Sequence, residues 1–498
     1  NRLNARVIAQ AQEGAVEKKQ PRDDWKKRFI KKVARHLFYL RLKTLSTKKT
    51  VFIAAPSYNL DRLSRDIQAR YPGVAAVAPL PMPSHLPARN YLRLCLKEMK
   101  TRLTRKKPGN SLIAVPVDLF TPDSSKEKNM DPNRIREAYK IFAAAHHQQF
   151  IHEGCTFWEE FDEKVERDLM ETLEWLISGA GSRKRFLEIL KPRLVMSPVS
   201  TAEYQSWAEV SGRLGIPALV IPQKTLVKPS NETAGIEEYY IGRAQVTESF
   251  ANAAAQSPLV SDYLQWAGYK GNIIETGNLI FSRYTPEKRE EDRARFYKEI
   301  GAKKKIIVWA PSMKTRKSRR FYVLESIDEL LSAMEDVFQV VARLSDVHLI
   351  FRIHPGEAIG KAEIYTLLEV PGNVTVSDRG TFEEVLSLAD LVISYSSTAA
   401  QEALINLIPV LSYDKWNRYN HLDADIVRET EPVRAAATYY IGNKKYLAAG
   451  IRRILDEHTG REVSAELFKD YRFFENKTGN FLEFVGGCLS SPVGNSNS

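Results

Sequence analysis

Two stretches decide the fold: VHLIFRIHPGE at residues 347–357 and ADLVISYSSTAAQEALINLIPVLSY at residues 389–413. In the first, the apolar run Val347–Arg352 reads as a strand and ends in Arg352-Ile353-His354-Pro355. In the second, Leu391–Ser394 is another strand, closed by Tyr395-Ser396-Ser397 and followed by a helical pattern over Thr398–Ile405. Val410–Leu411 starts the next strand. Short apolar runs alternating with helices are the signature of a parallel sheet with crossover helices.

The same alternation extends in both directions. Ile306–Ala310 is a strand, 323–344 a helix, Ala362–Leu368 a helix, Val374–Val376 a strand and Phe382–Leu388 a helix. Upstream, Val51–Ala55, Gly73–Val77, Ser111–Val115, Leu194–Ser197, Ala218–Ile221 and Asn272–Glu275 read as strands. Glu203–Leu214 and Leu259–Ala267 read as helices. The pattern from 131 to 190 is mostly helical, with breaks expected near Gly154 and at Gly179–Ser182. The charged segment Pro286–Lys305 separates two halves. The fold class is therefore α/β, with two doubly wound domains and a ligand site at the carboxyl ends of their strands. The expected division is a basic helical extension at 1–49, a first domain at 50–285, a second at 300–480 and a flexible tail at 481–498.

The chain has 498 residues and a formal net charge of +12. An excess of that size attracts anions, but much of it lies in Lys18–Lys49 and Lys97–Lys107, away from the motifs. Trp25–Leu42 (WKKRFIKKVARHLFYLRL) reads as a basic amphipathic helix, suited either to packing on its own domain or to an anionic membrane surface. Three widely spaced cysteines, Cys95, Cys155 and Cys488, give neither a disulfide framework nor a metal-binding spacing. No apolar run reaches the ~18 residues of a membrane span. A cytoplasmic protein, peripheral at most, is expected. The sequence does not begin with Met, so a piece of a longer protein is expected.

The chemistry-bearing residues sit at strand ends. Ser396, Ser397 and Thr398 cap a helix whose N-terminus attracts anions through its free N–H groups and its dipole. His354 is held by Pro355, and Arg352, two residues earlier, shares its face if the pleat continues. Together they read as an anion site. Ser312, Lys314 and Arg316 follow the strand Ile306–Ala310 at the expected edge of the cleft. Glu402 lies one turn into the capped helix.

These motifs resemble the GT-B transferases of bacterial surface polysaccharides, such as sialyl-, polysialyl- and Kdo-transferases with His-Pro and Ser-Ser motifs. Teichoic-acid CDP-glycerol glycerophosphotransferases and UDP-GlcNAc 2-epimerases are similar. The resemblance spans roughly 185–455 and includes KPRLVMS (191–197), GIPALVIPQ (215–223) and IIETGN (273–278). It implies a GT-B fold, two facing Rossmann-like domains, and a glycosyltransferase that uses a nucleotide-sugar, with CMP-linked acidic sugars favoured over UDP or CDP donors. It implies a glycan or glycolipid acceptor in capsule or lipopolysaccharide synthesis. His354, Ser396 and Ser397 would bind the donor phosphate, His354 would assist nucleotide departure, and Glu402 would hold the ribose. The acidic base of the sialyltransferases matches Glu153 in His152-Glu153-Gly154 only in part, and Asp118 is its rival. No metal, further cofactor or nucleic-acid partner is expected. The remaining readings are CDP-glycerol phosphotransfer, a UDP-sugar epimerase, and a non-catalytic binding module.

Overall fold

A computed structural model describes residues 24–54, 58–79, 113–115, 117, 132–146, 151–152, 155–156, 158–223, 226–229, 235, 242, 245–311, 327–354, 359–394, 398–416, 424–428, 434–458 and 465–491. Helix α1 (Asp24–Ser46) precedes β1 (Thr50–Ile53), α2 (Tyr58–Arg70), β2 (Ala75–Pro79) and β3 (Ile113–Val115). Then come α3 (Pro132–His146), a hairpin of β4 (Ile151–His152) and β5 (Cys155–Thr156), and the long α4 (Trp158–Leu190). The first half closes with β6 (Leu194–Ser197), α5 (Ala202–Arg213), β7 (Ala218–Val220), β8 (Asn252–Ala255), α6 (Pro258–Trp266) and β9 (Asn272–Glu275).

Seven of its nine strands form one sheet in the order β3-β2-β1-β6-β7-β8-β9, and every neighbouring pair is parallel. The order reverses between β1 and β6. β1, β6 and β7 are buried along their whole length, as strands covered on both faces must be. One face carries Phe52, Phe186 and Trp207 in mutual ring contact, with Phe52 4.6 Å from Trp207 and 5.2 Å from Phe186. Phe38, Leu42 and Leu45 of α1 join this core, so the carboxyl half of the basic helix packs on its own domain. Val33 and Leu40 stay exposed.

In the region 131–190 the break expected near Gly154 falls where β4 and β5 separate α3 from α4. The break expected at Gly179–Ser182 is absent, because α4 runs straight through it. Gly179 has a packing reason: a Cβ there would stand 2.6 Å from Nη1 of Arg183. The buried Arg183 guanidinium instead donates to Ser206 Oγ at 3.0 Å and lies over the Trp207 ring at 5.7 Å.

Helix α7 (Pro286–Ile300) starts the second half, with Thr285 as N-cap, Pro286 in its first turn and Gly301 in the left-handed region at its end. It is followed by β10 (Lys305–Trp309), α8 (Ile327–Ala342), β11 (Val347–Arg352), α9 (Lys361–Leu367), β12 (Val374–Ser377), α10 (Phe382–Leu386), β13 (Leu391–Ile393) and α11 (Thr398–Ile405). Next are β14 (Val410–Tyr413), β15 (Asp425–Ile426), β16 (Thr438–Ile441), α12 (Lys444–Glu457), a 3₁₀ segment (Ala465–Tyr471) and α13 (Thr478–Ser490). The strand order is β12-β11-β10-β13-β14-β16-β15, again parallel throughout. Two Rossmann-like sheets in one chain make this a GT-B fold.

Two crossings join the halves. After β9 the chain passes through 276–284 into α7, which is anchored on the second half. Arg289 donates to the carbonyls of Ser387 and Ala389, and Arg293 to those of Leu388 and Ala389. These carbonyls lie just past α10, where cations are favoured. After the 3₁₀ segment the chain returns. Phe481, Val485 and Leu489 of α13 join the first-sheet core, Tyr71 Oη donates to the Leu482 carbonyl at 2.6 Å, and Asn480 donates to the Glu275 carbonyl at 3.0 Å. Residues 481–490, expected as part of a flexible tail, are therefore a docked helix whose apolar spacing fits the first sheet. The tail beyond Ser491 lies outside the described residues.

The crossings touch at Gly277, which has φ 65°, and a Cβ there would stand 2.7 Å from the Phe474 carbonyl oxygen. Gly277→Ala is expected to destabilise the protein by ~1–3 kcal/mol, through backbone strain and displacement of that carbonyl. Urea titration with an unchanged m-value would show it, and an unshifted midpoint would refute the close approach.

Candidate functional site

The second sheet reverses its strand order between β10 and β13. Open parallel sheets bind ligands beyond the carboxyl ends of the strands at such a reversal. β10 is paired on one side with β11 and on the other with β13, so the strand ends at 310, 352 and 394 are neighbours. Ser394 fixes the reversal. Its backbone N–H donates to the Leu411 carbonyl at 3.1 Å and its Oγ donates to the Ala310 carbonyl at 3.0 Å, while Ser412 Oγ donates to the Ser394 carbonyl at 3.3 Å.

Arg352 is the last residue of β11 and is half-buried. Its Nη2 donates to the Gly380 carbonyl at 2.7 Å, which orients the guanidinium. Its Nη1 is buried and has no hydrogen-bond partner among the described residues. Burial lowers the pKa of Arg352, and Asp378 and Glu384 oppose that shift. A guanidinium tethered at one nitrogen with the other unpaired is prepared for an acceptor oxygen.

His354 lies two residues beyond the strand and is exposed at the surface. Desolvation of its ring, and then the Arg352 charge, lower its pKa from 6.5. The imidazole is thus neutral near pH 7 and carries one donor and one acceptor nitrogen. An anion placed between the two residues would offset both effects.

Helix α11 begins at Thr398, which is exposed, while Ala399 to Ile405 are buried. The helix starts four residues after Ser394, just past the end of β13. Ser312, Lys314, Ser396, Ser397 and Glu153 lie outside the described residues, as does Asp118. Arg352 and His354 thus lie at the end of β11 and Thr398 starts the helix after β13, the two strands that flank β10.

Glu402 is 4% exposed. Its Oε1 accepts from Tyr284 Oη at 2.8 Å. One turn later Asn406 accepts from the Tyr284 N–H at 2.7 Å and donates to the Ser282 carbonyl at 2.9 Å. α11 therefore carries the first crossing on its side. Sequence reasoning missed this role, because Tyr284 lies more than 100 residues away (|i−j| 118) and carries no local signal. It also missed the loop that orients Arg352. There a signal existed: Thr381-x-x-Glu384 is a capping box, with Thr381 N–H donating to Glu384 at 2.8 Å and Glu384 N–H to Thr381 Oγ1 at 3.2 Å.

Among the described residues no group of three His, Cys, Asp or Glu side chains could hold a metal ion. No helix among them is long and apolar enough to cross a membrane.

No protein-family profile and no curated sequence matches the chain. Among solved structures, similarity is found to a Listeria monocytogenes protein provisionally assigned as a UDP-N-acetylglucosamine 2-epimerase, at 13% identity and a TM-score of 0.49, over 89% of this chain and 96% of that one. The wall teichoic acid polymerase TagF with CDPG is similar at 12% identity and a TM-score of 0.45, over 95% and 98% of the two chains. A UGT transferase from Siraitia grosvenorii in complex with UDP is similar at 9% identity and a TM-score of 0.47, over 89% and 99%. Scores this low do not carry a shared site or activity, and the fold assignment rests on the strand orders.

Burial, opposed by the Tyr284 hydrogen bond, raises the Glu402 pKa from 4.5 to about 7. A carboxyl with a raised folded pKa keeps a proton that the unfolded chain has released, so stability falls as pH rises between those values. Glu402→Gln is expected to remove this dependence, which amounts to roughly 3 kcal/mol by the upper end of the window. Chemical denaturation at pH 4.5, 6 and 8 tests it: equal pH slopes for both proteins would contradict an uncharged buried Glu402.

Proposed function

We propose that the protein is a glycosyltransferase that moves a sugar from a nucleotide-activated donor to a carbohydrate acceptor. The observation that carries this reading is the tethered Arg352, with Nη1 unpaired, at the strand-order reversal. A phosphate accepts from that nitrogen. His354 supplies a second donor, and the start of α11, with Ser396, Ser397 and Thr398, supplies N–H groups, hydroxyls and dipole. Ser312 and Lys314 are proposed at the same edge on their sequence context alone; Glu402, expected to hold the ribose, is instead buried against Tyr284 and is not available to it. CMP-linked acidic sugars are the favoured donors, on the His-Pro and Ser-Ser pairing.

In the reaction the acceptor hydroxyl oxygen forms a bond to the anomeric carbon as the bond from that carbon to the phosphate oxygen breaks. The electron pair leaves on the nucleotide phosphate. Arg352 and the helix N-terminus stabilise that charge, and His354 donates a hydrogen bond to the departing oxygen. The acceptor proton passes to a base, for which Glu153 is proposed on its sequence context alone. Charge neutralisation by these groups makes a metal ion unnecessary in this scheme, and no further cofactor is required.

Arg352→Ala is expected to weaken nucleotide binding at least tenfold, and His354→Ala to abolish transfer with the thermal midpoint unchanged. A nucleotide at 100 times its Kd should stabilise the wild type by about 2.7 kcal/mol. A thermal-shift series with CMP, CDP and UDP identifies the base. If none of the three shifts the midpoint, the reading fails.

The exposed Val33 and Leu40, set beside Lys32 and Lys43 on α1, support peripheral attachment to an anionic membrane. Val33→Asp/Leu40→Asp should reduce sedimentation with phosphatidylserine vesicles several-fold. Undiminished sedimentation would exclude this face.

A further inference from the structure

A cavity of about 500 Å³ lies at the two chain crossings. Ser282 and Arg283 line it from the first crossing, Phe474, Asn476 and Thr478 from the second, and Glu383 from the start of α10. Its volume falls in the ~300–1,000 Å³ range of small-molecule sites. It borders the proposed phosphate site through one loop. Arg352 is bonded to Gly380, and Glu383 follows three residues later on the helix capped by Thr381.

The lining chemistry selects the ligand. The side chains of Ser282, Arg283, Glu383, Asn476 and Thr478 have no hydrogen bond or ion pair among the described residues. They offer one cation, one carboxylate, one amide and two hydroxyls, donors and acceptors in mixture. A second carboxylate on the rim, Glu475, is paired with Arg472. A phosphate would meet two carboxylates for one free arginine, and an apolar ligand would strand the polar groups. A saccharide satisfies both kinds of group through its hydroxyls. Phe474, half-buried on the wall, offers an apolar face to its C–H side.

We infer that this cavity is a saccharide subsite. It rests on the proposed function for its partner, the nucleotide held by Arg352, and its sugar belongs either to the donor or to the acceptor. Because its walls come from both crossings and from the second half, an occupant would bridge the two halves of the protein.

Isothermal titration of the full chain and of Arg283→Ala/Glu383→Gln tests it. The probes are UDP, UDP-N-acetylglucosamine, CMP, CMP-N-acetylneuraminate and free N-acetyllactosamine. Both substituted residues are exposed, and retained nucleotide affinity reports an intact fold. The double variant should bind UDP or CMP like the wild type and lose at least tenfold in affinity for a sugar-bearing probe. Loss confined to a nucleotide sugar assigns the cavity to the donor's sugar, and loss on the free disaccharide assigns it to the acceptor. No sugar-dependent affinity in the wild type, or equal affinities for every probe in both proteins, overturns the subsite. Disaccharide binding without any nucleotide binding would keep the subsite and remove the glycosyltransferase reading.

Discussion

Everything at the second strand edge depends on the lateral pairing of β10 between β11 and β13. The chain runs outward from β10 through β11 to β12 on one side and restarts with β13 on the other. Ser394, fully buried, ties the ends of β10 and β13 by donating to the Ala310 carbonyl. At the end of β11, Arg352 holds one nitrogen on Gly380, and the other has no partner among the described residues. If β13 paired elsewhere, α11 would not follow the strand next to β10, and the proposed anion site would lose its helix.

The two crossings set the second constraint. α7 belongs to the second half through its arginines, and α13 returns to the first. The first half is thus completed by a helix that follows the second crossing. Tyr284 links this frame to the site, since its hydroxyl and N–H both end on α11. Glu402, a carboxyl whose pKa burial raises to about 7, bonds Tyr284 at that joint and so ties the first crossing to α11.

Much of the sheet was legible in the sequence because parallel strands buried on both faces are continuous apolar runs. Leu194–Ser197, Ile306–Ala310 and Leu391–Ser394 agree with the observed strands to within a residue. β8 was not legible: Asn-Ala-Ala-Ala has little strand propensity and is held by its neighbours, including Asn252 bonded to the Ala218 carbonyl at 3.1 Å. Gly179 suggested a break that packing against Arg183 removes. The places of Arg352 and His354 at a strand end and of Thr398 at a helix start could be read because strand ends and caps are local signals. Tyr284, Phe474 and Glu383 could not, because only the crossings bring them together.

The central claim is that a nucleotide's phosphate sits on the β10–β11–β13 edge. A crystal structure of the chain soaked with its best-binding nucleotide tests it most directly. The account predicts a phosphate oxygen within hydrogen-bonding distance of Arg352 Nη1, with His354 on the same phosphate. A nucleotide bound on the first sheet, or a phosphate out of reach of Arg352, would contradict it.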